Sequence, residues 1–181
     1  RDFLDSEGIP YDFVDVEGEV RINLKIFDMS KGVVTEVNES GNPVPPECLA
    51  KLMDMIDTYA AGSRMMVFSG SAPKKVPVSI YRDLIEQANK YKVLCVLDAD
   101  DELLLNGLEA GPYLVKPNLY ELEKATGKKL ATHGEIVYAA RTFLDKGVSI
   151  VGVSMGSQGA IIVDENEAYY AHPVEVEVKG T

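Results

Sequence analysis

From residue 49 onward, the chain alternates between short apolar runs and segments whose apolar residues recur at helical spacing. Residues 65–68 and 93–97 are continuous apolar runs, the pattern of strands that are buried on both faces of a parallel sheet. Ile80, Leu84 and Ala88 lie between them at the spacing of one helical face. Because parallel strands are joined by crossover connections that are usually helices, this alternation predicts a mainly parallel sheet with helices on both faces.

The same patterns predict the other elements of this region and the place where a ligand would bind. Strands are further predicted at 113–115, 149–153, 160–163, 168–171 and 174–178, and helices at 49–59, 102–108, 118–126 and 135–145. In a parallel α/β sheet, ligands bind beyond the carboxyl ends of the strands. The residues that directly follow each strand are therefore the first candidates for a functional site.

The amino-terminal part of the chain has a different pattern, which predicts antiparallel β structure. Strands are predicted at 11–16, 20–26 and 33–37. Residues 20–26 alternate between apolar and polar side chains, as half-buried strands do, residues 11–16 follow this pattern in part, and residues 33–37 return after a turn. One face of this meander would carry three hydrogen-bonding side chains, those of Arg21, Asn23 and Lys25. The face is either simply solvated or a platform for a ligand.

A stretch rich in glycine and proline at 41–46 marks a boundary between these two regions. We therefore expect a β lid segment over residues 1–44 and an α/β core over residues 45–181.

The charge balance limits the partners that this chain can have. It carries 18 basic and 29 acidic residues, a net charge of −11, which opposes binding to nucleic acid or to an anionic membrane. A small phosphorylated ligand is not excluded, because a few local cations and backbone N–H groups suffice to bind it. Cys48 and Cys95 lie in apolar contexts and complete no zinc pattern with the two histidines. We expect them to be buried thiols in a reducing cytoplasm.

Two of the predicted strand ends offer polar groups suited to a ligand. Gly70 and Ser71 follow the first core strand, where they form either a plain turn or a loop that approaches a ligand closely. Lys116 follows the third strand, ahead of Asn118 and Glu121, whose spacing is typical of a helix capping box. The same amide and carboxylate could instead organise Mg²⁺ and its waters. These two interpretations compete, because Glu121 cannot easily reach back to the cap and also serve a metal.

A third strand end is rich in glycine and hydroxyl groups. It comprises Ser154, Met155, Gly156, Ser157, Gln158 and Gly159. Because it leads into another predicted strand, it is neither a Walker A loop nor a dinucleotide-binding fingerprint, both of which open a helix. Taken alone, it is equally consistent with a tight hairpin connection.

In combination, these motifs resemble the PfkB/ribokinase family of sugar kinases, and the resemblance extends over essentially the whole chain. Five motifs carry it, in this order: Arg21-Ile22-Asn23-Leu24-Lys25, Gly70-Ser71-Ala72-Pro73, Asp98-Ala99-Asp100, Lys116-Pro117-Asn118-x-x-Glu121 and Ser154-Met155-Gly156-Ser157-Gln158-Gly159-Ala160. Within the family, the chain is most similar to the branch of 1-phosphofructokinase and tagatose-6-phosphate kinase. The first motif and the following Thr35-Glu36-Val37-Asn38 favour 1-phosphofructokinase.

The resemblance implies a ribokinase-like three-layer α/β/α sandwich with a mainly parallel sheet and a small β lid. It also implies an ATP-dependent, Mg²⁺-assisted phosphoryl transfer that converts fructose 1-phosphate to fructose 1,6-bisphosphate. Tagatose 6-phosphate and fructose 6-phosphate are the alternative acceptors. Family members often pair through their lids, so a homodimer is expected. The lid would present an apolar second face formed by Phe13, Ile22, Leu24 and Ile26.

Site residues carry over by motif. The substrate would be bound by Arg21, Asn23, Lys25, Gly70 and Ser71, with the guanidinium of Arg21 on the sugar phosphate. The nucleotide would be bound by Lys116, Asn118, Ser154, Met155, Gly156, Ser157, Gln158 and Gly159. The metal would be served by Asn118 and Glu121.

Two departures from the family pattern bear on activity. The family places a Gly-Ala-Gly-Asp motif, with the general-base aspartate and the anion hole, where this chain ends, so the base is expected just after Thr181. We therefore interpret the chain as a central fragment that is inactive alone, or as a non-catalytic module that binds sugar phosphate or nucleotide. In addition, Asp101 stands where the family would have glycine.

Overall fold

Residues 1–73 and 75–174 are described in a computed structural model of the chain. Its internal contacts define two units. The first, which we call the ribbon unit, comprises Arg1–Met55 and Ala72–Val76. The second, which we call the sheet unit, comprises Ile56–Ser71 and Pro77–Thr181. Within the described residues, no helix has the length and apolar character needed to cross a membrane.

The ribbon unit is built on an antiparallel pair of strands. Strand β1 spans Asn23–Asp28 and strand β2 spans Val33–Asn38, with Lys25 opposite Glu36 in the register. A short helix, α1 (Asp2–Ser6), precedes them, and α2 (Pro46–Ala60) follows them. The predicted strand at 33–37 is confirmed, and so is the helix predicted at 49–59.

Two strand predictions in the ribbon unit are wrong in part or in full. Residues 11–16 form no strand, so the expected meander is a two-stranded ribbon. Their side chains make local contacts instead, in which the ring of Tyr11 packs on that of Phe13 and Asp15 pairs with Arg1. The strand predicted at 20–26 begins at Asn23 and continues to Asp28, because its extent is set by the residues that find a partner in β2. Periodicity specifies which side chains share a face but not whether a neighbouring strand is present.

Among its described residues, the sheet unit contains one sheet of six strands; four helices connect the parallel strands, and two short connections join the antiparallel ones. In chain order, the elements are β3 (Met65–Ser69), α3 (Ile80–Asn89), β4 (Leu94–Asp98), α4 (Asp101–Leu108), β5 (Leu114–Val115), α5 (Leu119–Thr126), α6 (His133–Leu144), β6 (Ile150–Ser154), β7 (Ala160–Val163) and β8 (Ala168–Ala171). The strands lie side by side in chain order; β3 to β6 are parallel, whereas β7 and β8 are antiparallel. The mainly parallel sheet is confirmed. The strand predicted at 174–178 lies outside the described residues except for Val174.

One face of this sheet forms the core. Its side chains pack against helices α3 to α6, and the largest contributions come from buried residues of the central strands. They include Phe68, Leu97, Val115, Val151 and Val153. The opposite face is apolar too, and among the described residues it exposes Met65, Val67, Leu94 and Ile162. A sheet that is apolar on both faces has the residue pattern of the middle layer in a three-layer sandwich.

Candidate functional site

Four strands of the sheet unit end at one edge, because β3 to β6 are parallel. Ser69 and Asp98 are neighbours in the register of β3 and β4. Asn118, beyond the end of β5, forms a further parallel bridge with Ser154, the last residue of β6. The topology therefore brings the predicted strand-end residues of the sheet unit to the same edge.

A cavity of about 240 Å³ opens at this edge. It is lined by Ser69, Gly70, Ser71, Asp98, Ala99, Asp100 and Glu121. Hydroxyl groups from the β3 end line this cavity together with carboxylates from the β4 end and from the first turn of α5. It thus brings together Gly70 and Ser71, expected at the sugar, and Glu121, expected at the metal.

The loop after β3 is held by two hydrogen bonds of Gly70. Its N–H donates to the carbonyl oxygen of Asp98 at 3.2 Å, and its carbonyl oxygen accepts from the hydroxyl of Tyr81 at 2.8 Å. Gly70 has a φ of +104°, which residues with a Cβ rarely adopt. Burial raises the pKa of Tyr81, and the charges of Asp100 and Asp98 raise it further. Its hydroxyl therefore keeps its proton and remains a donor at neutral pH.

Lys116 provides the cation of this edge. Its Nζ lies 3.1 Å from Oδ1 of Asp98, and both side chains are partly exposed, at 50% and 37%. The Lys116 N–H also donates to the carbonyl oxygen of Leu97 at 3.0 Å, which fixes the backbone beside β4. An ammonium group held this way can reorient towards an anion, because a half-exposed ion pair is weak.

Asn118 and Glu121 form the capping box of α5. The Asn118 Oδ1 accepts from the N–H of Glu121 at 2.9 Å, and the Asn118 N–H donates to Oε2 of Glu121 at 2.8 Å. The Asn118 Nδ2 donates to the other carboxylate oxygen, Oε1, at 2.7 Å. Of the two competing interpretations, capping is therefore what the structure shows.

The fit of this edge to Mg²⁺ depends on how many protein ligands that ion requires. Among the described residues, no three acidic, cysteine or histidine side chains converge closely enough to form a metal cage. Mg²⁺ usually keeps several waters and takes only one or two carboxylates together with substrate phosphates. Each oxygen of Glu121 accepts one bond from Asn118 and retains a second lone pair. The edge is thus suited to a water-mediated Mg²⁺ that arrives with phosphates.

The segment from Ser154 to Gly159 connects β6 to β7 in a tight hairpin. Gly156–Gln158 form one turn of 3-10 helix, and the N–H of Met155 donates to the carbonyl oxygen of Gly159 at 2.9 Å. The hydroxyl of Tyr170 on β8 donates to the carbonyl oxygen of Gln158 at 2.9 Å. The Tyr170 contact holds the loop from β8, and Gly156 and Ser157 remain exposed.

The ribbon unit contains the other predicted residues. Arg21 lines a cavity of about 620 Å³ that is formed by residues 19–22 and 38–42. Asn23 and Lys25 lie exposed on β1, and the Lys25 Nζ is 3.1 Å from Oε1 of Glu36 on β2. Arg21, Asn23 and Lys25 share the alternation expected for one face of β structure, although β1 begins only at Asn23.

Sequence reasoning gave no functional role to three residues that lie at the carboxyl edge. Asp100 lines the cavity, and the acidic run 98–101 after a strand is a signal that could have identified it. Tyr81 reaches Gly70 from α3, a contact that no local pattern announces. Asp101, which stands where the family would have glycine, has a φ of +46° and pairs with Lys124 at 2.6 Å. The positive φ explains why glycine suits that position.

Comparison with known proteins gives one family match over the whole chain. The model of the pfkB family carbohydrate kinase matches residues 1–181. The 1-phosphofructokinase of Escherichia coli strain K12 is 32% identical over 174 residues, and the match covers 96% of this chain. The 1-phosphofructokinase of Bacillus subtilis is 29% identical over 172 residues, covering 95% of this chain. Each match covers 55% of the relative, so the chain spans little more than half their length.

Solved structures give the same result for the fold. Phosphofructokinase-2 from Escherichia coli, in complex with fructose-6-phosphate, superposes with a TM-score of 0.87 at 27% identity, over 99% of this chain and 59% of that one. A putative phosphofructokinase from Staphylococcus aureus superposes with a TM-score of 0.82 at 27% identity, over 99% of this chain and 57% of that one. The ribokinase-like α/β fold predicted from the sequence is therefore confirmed.

Proposed function

This chain belongs to the pfkB family of carbohydrate kinases, and we propose that it forms part of an ATP-dependent kinase that converts fructose 1-phosphate to fructose 1,6-bisphosphate. The supporting relatives are 1-phosphofructokinases at about 30% identity. Because the chain spans 55% of their length, the activity is proposed for the polypeptide to which this chain contributes.

The observation that carries the proposal is the convergence at the carboxyl edge of the sheet. There Lys116, the hydroxyl groups of the β3 end and three carboxylates meet around or beside one cavity. Two of the carboxylates come from the β4 end and one from the first turn of α5. Phosphoryl transfer depends mainly on positioning and on electrostatic stabilisation of the transferring group. An edge that offers one mobile cation, hydroxyl donors and carboxylates for a metal has the groups that this chemistry requires.

The nucleotide is proposed to bind through Lys116 and the β6–β7 hairpin. The ammonium of Lys116 would leave Asp98 to neutralise phosphate charge. Asn118, which bridges to Ser154, would hold the β5 and β6 ends together beneath the phosphates. Gly156 and Ser157 would supply backbone N–H and hydroxyl groups, with Met155, Gln158 and Gly159 shaping the loop. ATP, when bound, supplies the phosphoryl group.

Mg²⁺ is proposed to be held through water by Glu121 and Asn118. Glu121 lines the cavity while it caps α5, so the cap presents the carboxylate in a fixed orientation. When bound, Mg²⁺ supplies charge neutralisation between phosphate oxygens. In this proposal, Glu121 caps α5 and serves the metal at the same time, because each of its oxygens retains a lone pair beyond its bond to Asn118.

Two sets of residues are proposed for the sugar phosphate, each described within its own unit. Arg21 offers a planar fork that matches a phosphate, and Asn23 and Lys25 extend the polar face of β1 beside it. Gly70 and Ser71 are proposed for the sugar hydroxyl groups.

Fructose 6-phosphate is the second candidate acceptor, with tagatose 6-phosphate as a further alternative. The observation that favours fructose 6-phosphate is the TM-score of 0.87 with the phosphofructokinase-2 that was crystallised with that sugar phosphate. The 1-phosphofructokinases favour fructose 1-phosphate. Both groups are about equally distant from this chain in sequence.

Side-by-side kinetics on the three sugar phosphates would test the proposal. The polypeptide that contains this chain is assayed for ADP release with Mg·ATP and each acceptor in turn. We expect the highest kcat/KM for fructose 1-phosphate. A preference for fructose 6-phosphate or tagatose 6-phosphate would transfer the assignment to that acceptor. If no ADP is released with any of the three acceptors, the assignment as a sugar-phosphate kinase is contradicted.

We further propose that two copies pair through the ribbon unit. Leu24 and Ile26 point to one face of β1 and are each about half exposed, together with Val37 from β2. A contiguous apolar face of this kind marks an interaction site. Sedimentation analysis of Leu24→Lys, with Met29→Lys in the adjoining turn as a control, tests it. Dissociation only in Leu24→Lys supports pairing, and a wild-type monomer at high concentration contradicts it.

A further inference from the structure

A second cavity lies in the helical layer of the sheet unit, and none of its lining residues belongs to the carboxyl-edge cavity. It measures about 490 Å³ and lies among α4, α5 and α6. Leu105, Ala139 and Phe143 provide apolar surface, and Phe143 is fully buried beneath it. This volume is within the range of small-molecule sites, which are mostly apolar with a few placed polar groups.

Three lysines stand around this cavity, in a chain whose net charge is −11. Lys129 is neutralised by Glu123 at 2.6 Å. Glu135 is the only acidic residue in the lining, and its carboxylate accepts the N–H groups of Ala131 and Thr132 in the capping box of α6. Neither Lys128 nor Lys146 forms a salt bridge with a described residue within 4.0 Å. Among the described residues, these two cationic side chains of the cavity lining therefore have no carboxylate within 4.0 Å.

An exposed aromatic ring completes the rim. The Tyr138 side chain is 70% exposed on α6, and the Nζ of Lys128 lies 5.9 Å from the centroid of its ring. An aromatic face next to an ammonium group suits a flat ligand that carries a negative charge, because the ring contacts the ligand body while the lysine contacts the anion.

We propose that this cavity binds a small organic anion that has a flat apolar body and a carboxylate or similar anionic group. The apolar floor disfavours a bare inorganic anion, which would lose hydration without gaining partners there. The two lysines, both exposed, favour an anion over a neutral hydrophobe, because only an anion gains charge-assisted contacts with them. The site lies outside the residues assigned to the kinase reaction and does not depend on that assignment.

Chemical-shift titration with two matched probes tests the proposal. The probes are 1-naphthoate, an anion, and 1-naphthalenemethanol, which has the same ring system without the charge. We expect 1-naphthoate to produce saturable shifts in the backbone amides of Thr126, Gly134 and Thr142, which line the cavity. We expect 1-naphthalenemethanol to bind at least about fivefold more weakly, the effect of one charge-assisted contact.

A double variant and its control identify the charges involved. Lys128→Gln with Lys146→Gln should weaken 1-naphthoate at least about fivefold and leave 1-naphthalenemethanol within about twofold. Lys31→Gln with Lys51→Gln, in the ribbon unit, removes the same charge elsewhere and should change neither. Salt provides a measurement that needs no variant: between about 0.01 M and 1 M NaCl the screening length falls from roughly 30 Å to roughly 3 Å. Affinity for 1-naphthoate should fall over that range.

Three results would overturn the proposal. The first is equal binding of the two probes, and the second is 1-naphthoate affinity that depends on neither the double substitution nor salt. The third is shifts confined to residues outside the cavity, including the exposed sheet face around Val67 and Ile162.

Discussion

The Nζ of Lys116 lies 3.1 Å from Oδ1 of Asp98, at the point where two neighbouring parallel strands end. Both side chains are partly exposed, and such pairs contribute only about 0–1 kcal/mol to stability. Lys116 can therefore exchange this partner for a ligand phosphate at little cost to the fold. The relationship links the sheet topology to the proposed chemistry, because neither residue would meet the other without the parallel register.

The first prediction separates binding by Lys116 from its structural pairing. Lys116→Gln should weaken ATP binding by at least about tenfold, the loss of a charge-assisted contact to phosphate. Lys124→Gln is a matched control, since Lys124 is also half exposed and also pairs with an aspartate, Asp101. It should change ATP affinity by less than about twofold. Calorimetric titration measures both, and equal effects of the two substitutions would count against a phosphate role for Lys116.

A second prediction uses the two capping boxes of the sheet unit. Glu121 caps α5 and Glu135 caps α6, each in a reciprocal capping box with its N-cap residue, but only Glu121 lines the carboxyl-edge cavity. Glu121→Gln and Glu135→Gln should therefore lower the thermal midpoint to a similar degree. Only Glu121→Gln should raise the Mg²⁺ concentration that half-saturates ATP binding, by about tenfold. An unchanged Mg²⁺ dependence in Glu121→Gln would restrict that residue to capping.

Two glycines of the β6–β7 hairpin give a third prediction. Gly159 has φ +89° and ψ −143°, and a Cβ there would overlap the carbonyl oxygen of Ala171. Gly159→Ala should destabilise the protein by at least about 3 kcal/mol, because backbone strain and steric overlap add. Gly156 has φ +57° with open space around it, so Gly156→Ala should lose only about 1–2 kcal/mol. Urea unfolding measures both, and the reverse order would show that the hairpin geometry is wrong.

A fourth prediction concerns acid stability. The N–H groups of Ala131 and Thr132 hold the pKa of Glu135 below its usual value of 4.5. A carboxylate with a lowered folded-state pKa stabilises the fold fully above its unfolded pKa, and this contribution is lost as pH falls through the folded pKa. Glu135→Gln removes the titration. The unfolding free energy of this variant should lie below that of the wild type by a constant amount from pH 8 to about pH 5. The difference between the two should shrink below about pH 4.5. A deficit that grows on acidification would contradict the hydrogen bonds assigned to this carboxylate.

Much of the sheet unit was predictable because its signals are local. Continuous apolar runs placed β3 and β4 to within one residue, and the Asn-x-x-Glu spacing placed the start of α5. Burial enforces these patterns, since β3, β4, β6 and β7 contact the helices. The same reasoning failed for residues 11–16, which alternate only in part and have no partner strand. Pairing is a non-local property, and periodicity does not report it.

The candidate site was predictable only in outline. Strand ends identified Lys116, Gly70 and Glu121, because a parallel sheet gathers its carboxyl ends at one edge. The contact of Tyr81 with Gly70 depends on how α3 packs, and the ion pair of Lys116 with Asp98 depends on the order of the strands. Neither is encoded in a short motif. The capping role of Glu121 could be assigned only from the structure, because the Asn-x-x-Glu spacing is compatible with both helix capping and metal binding.

Hydrogen exchange of backbone amides with and without saturating Mg·ATP tests the central claim most directly, because it locates the nucleotide without requiring turnover. We expect slower exchange in the strand-end segments 69–71, 98–100, 116–118 and 154–159, while the far ends of the same strands are unaffected. Protection confined to other parts of the sheet unit, or no protection at a nucleotide concentration that saturates related kinases, would contradict nucleotide binding at this edge.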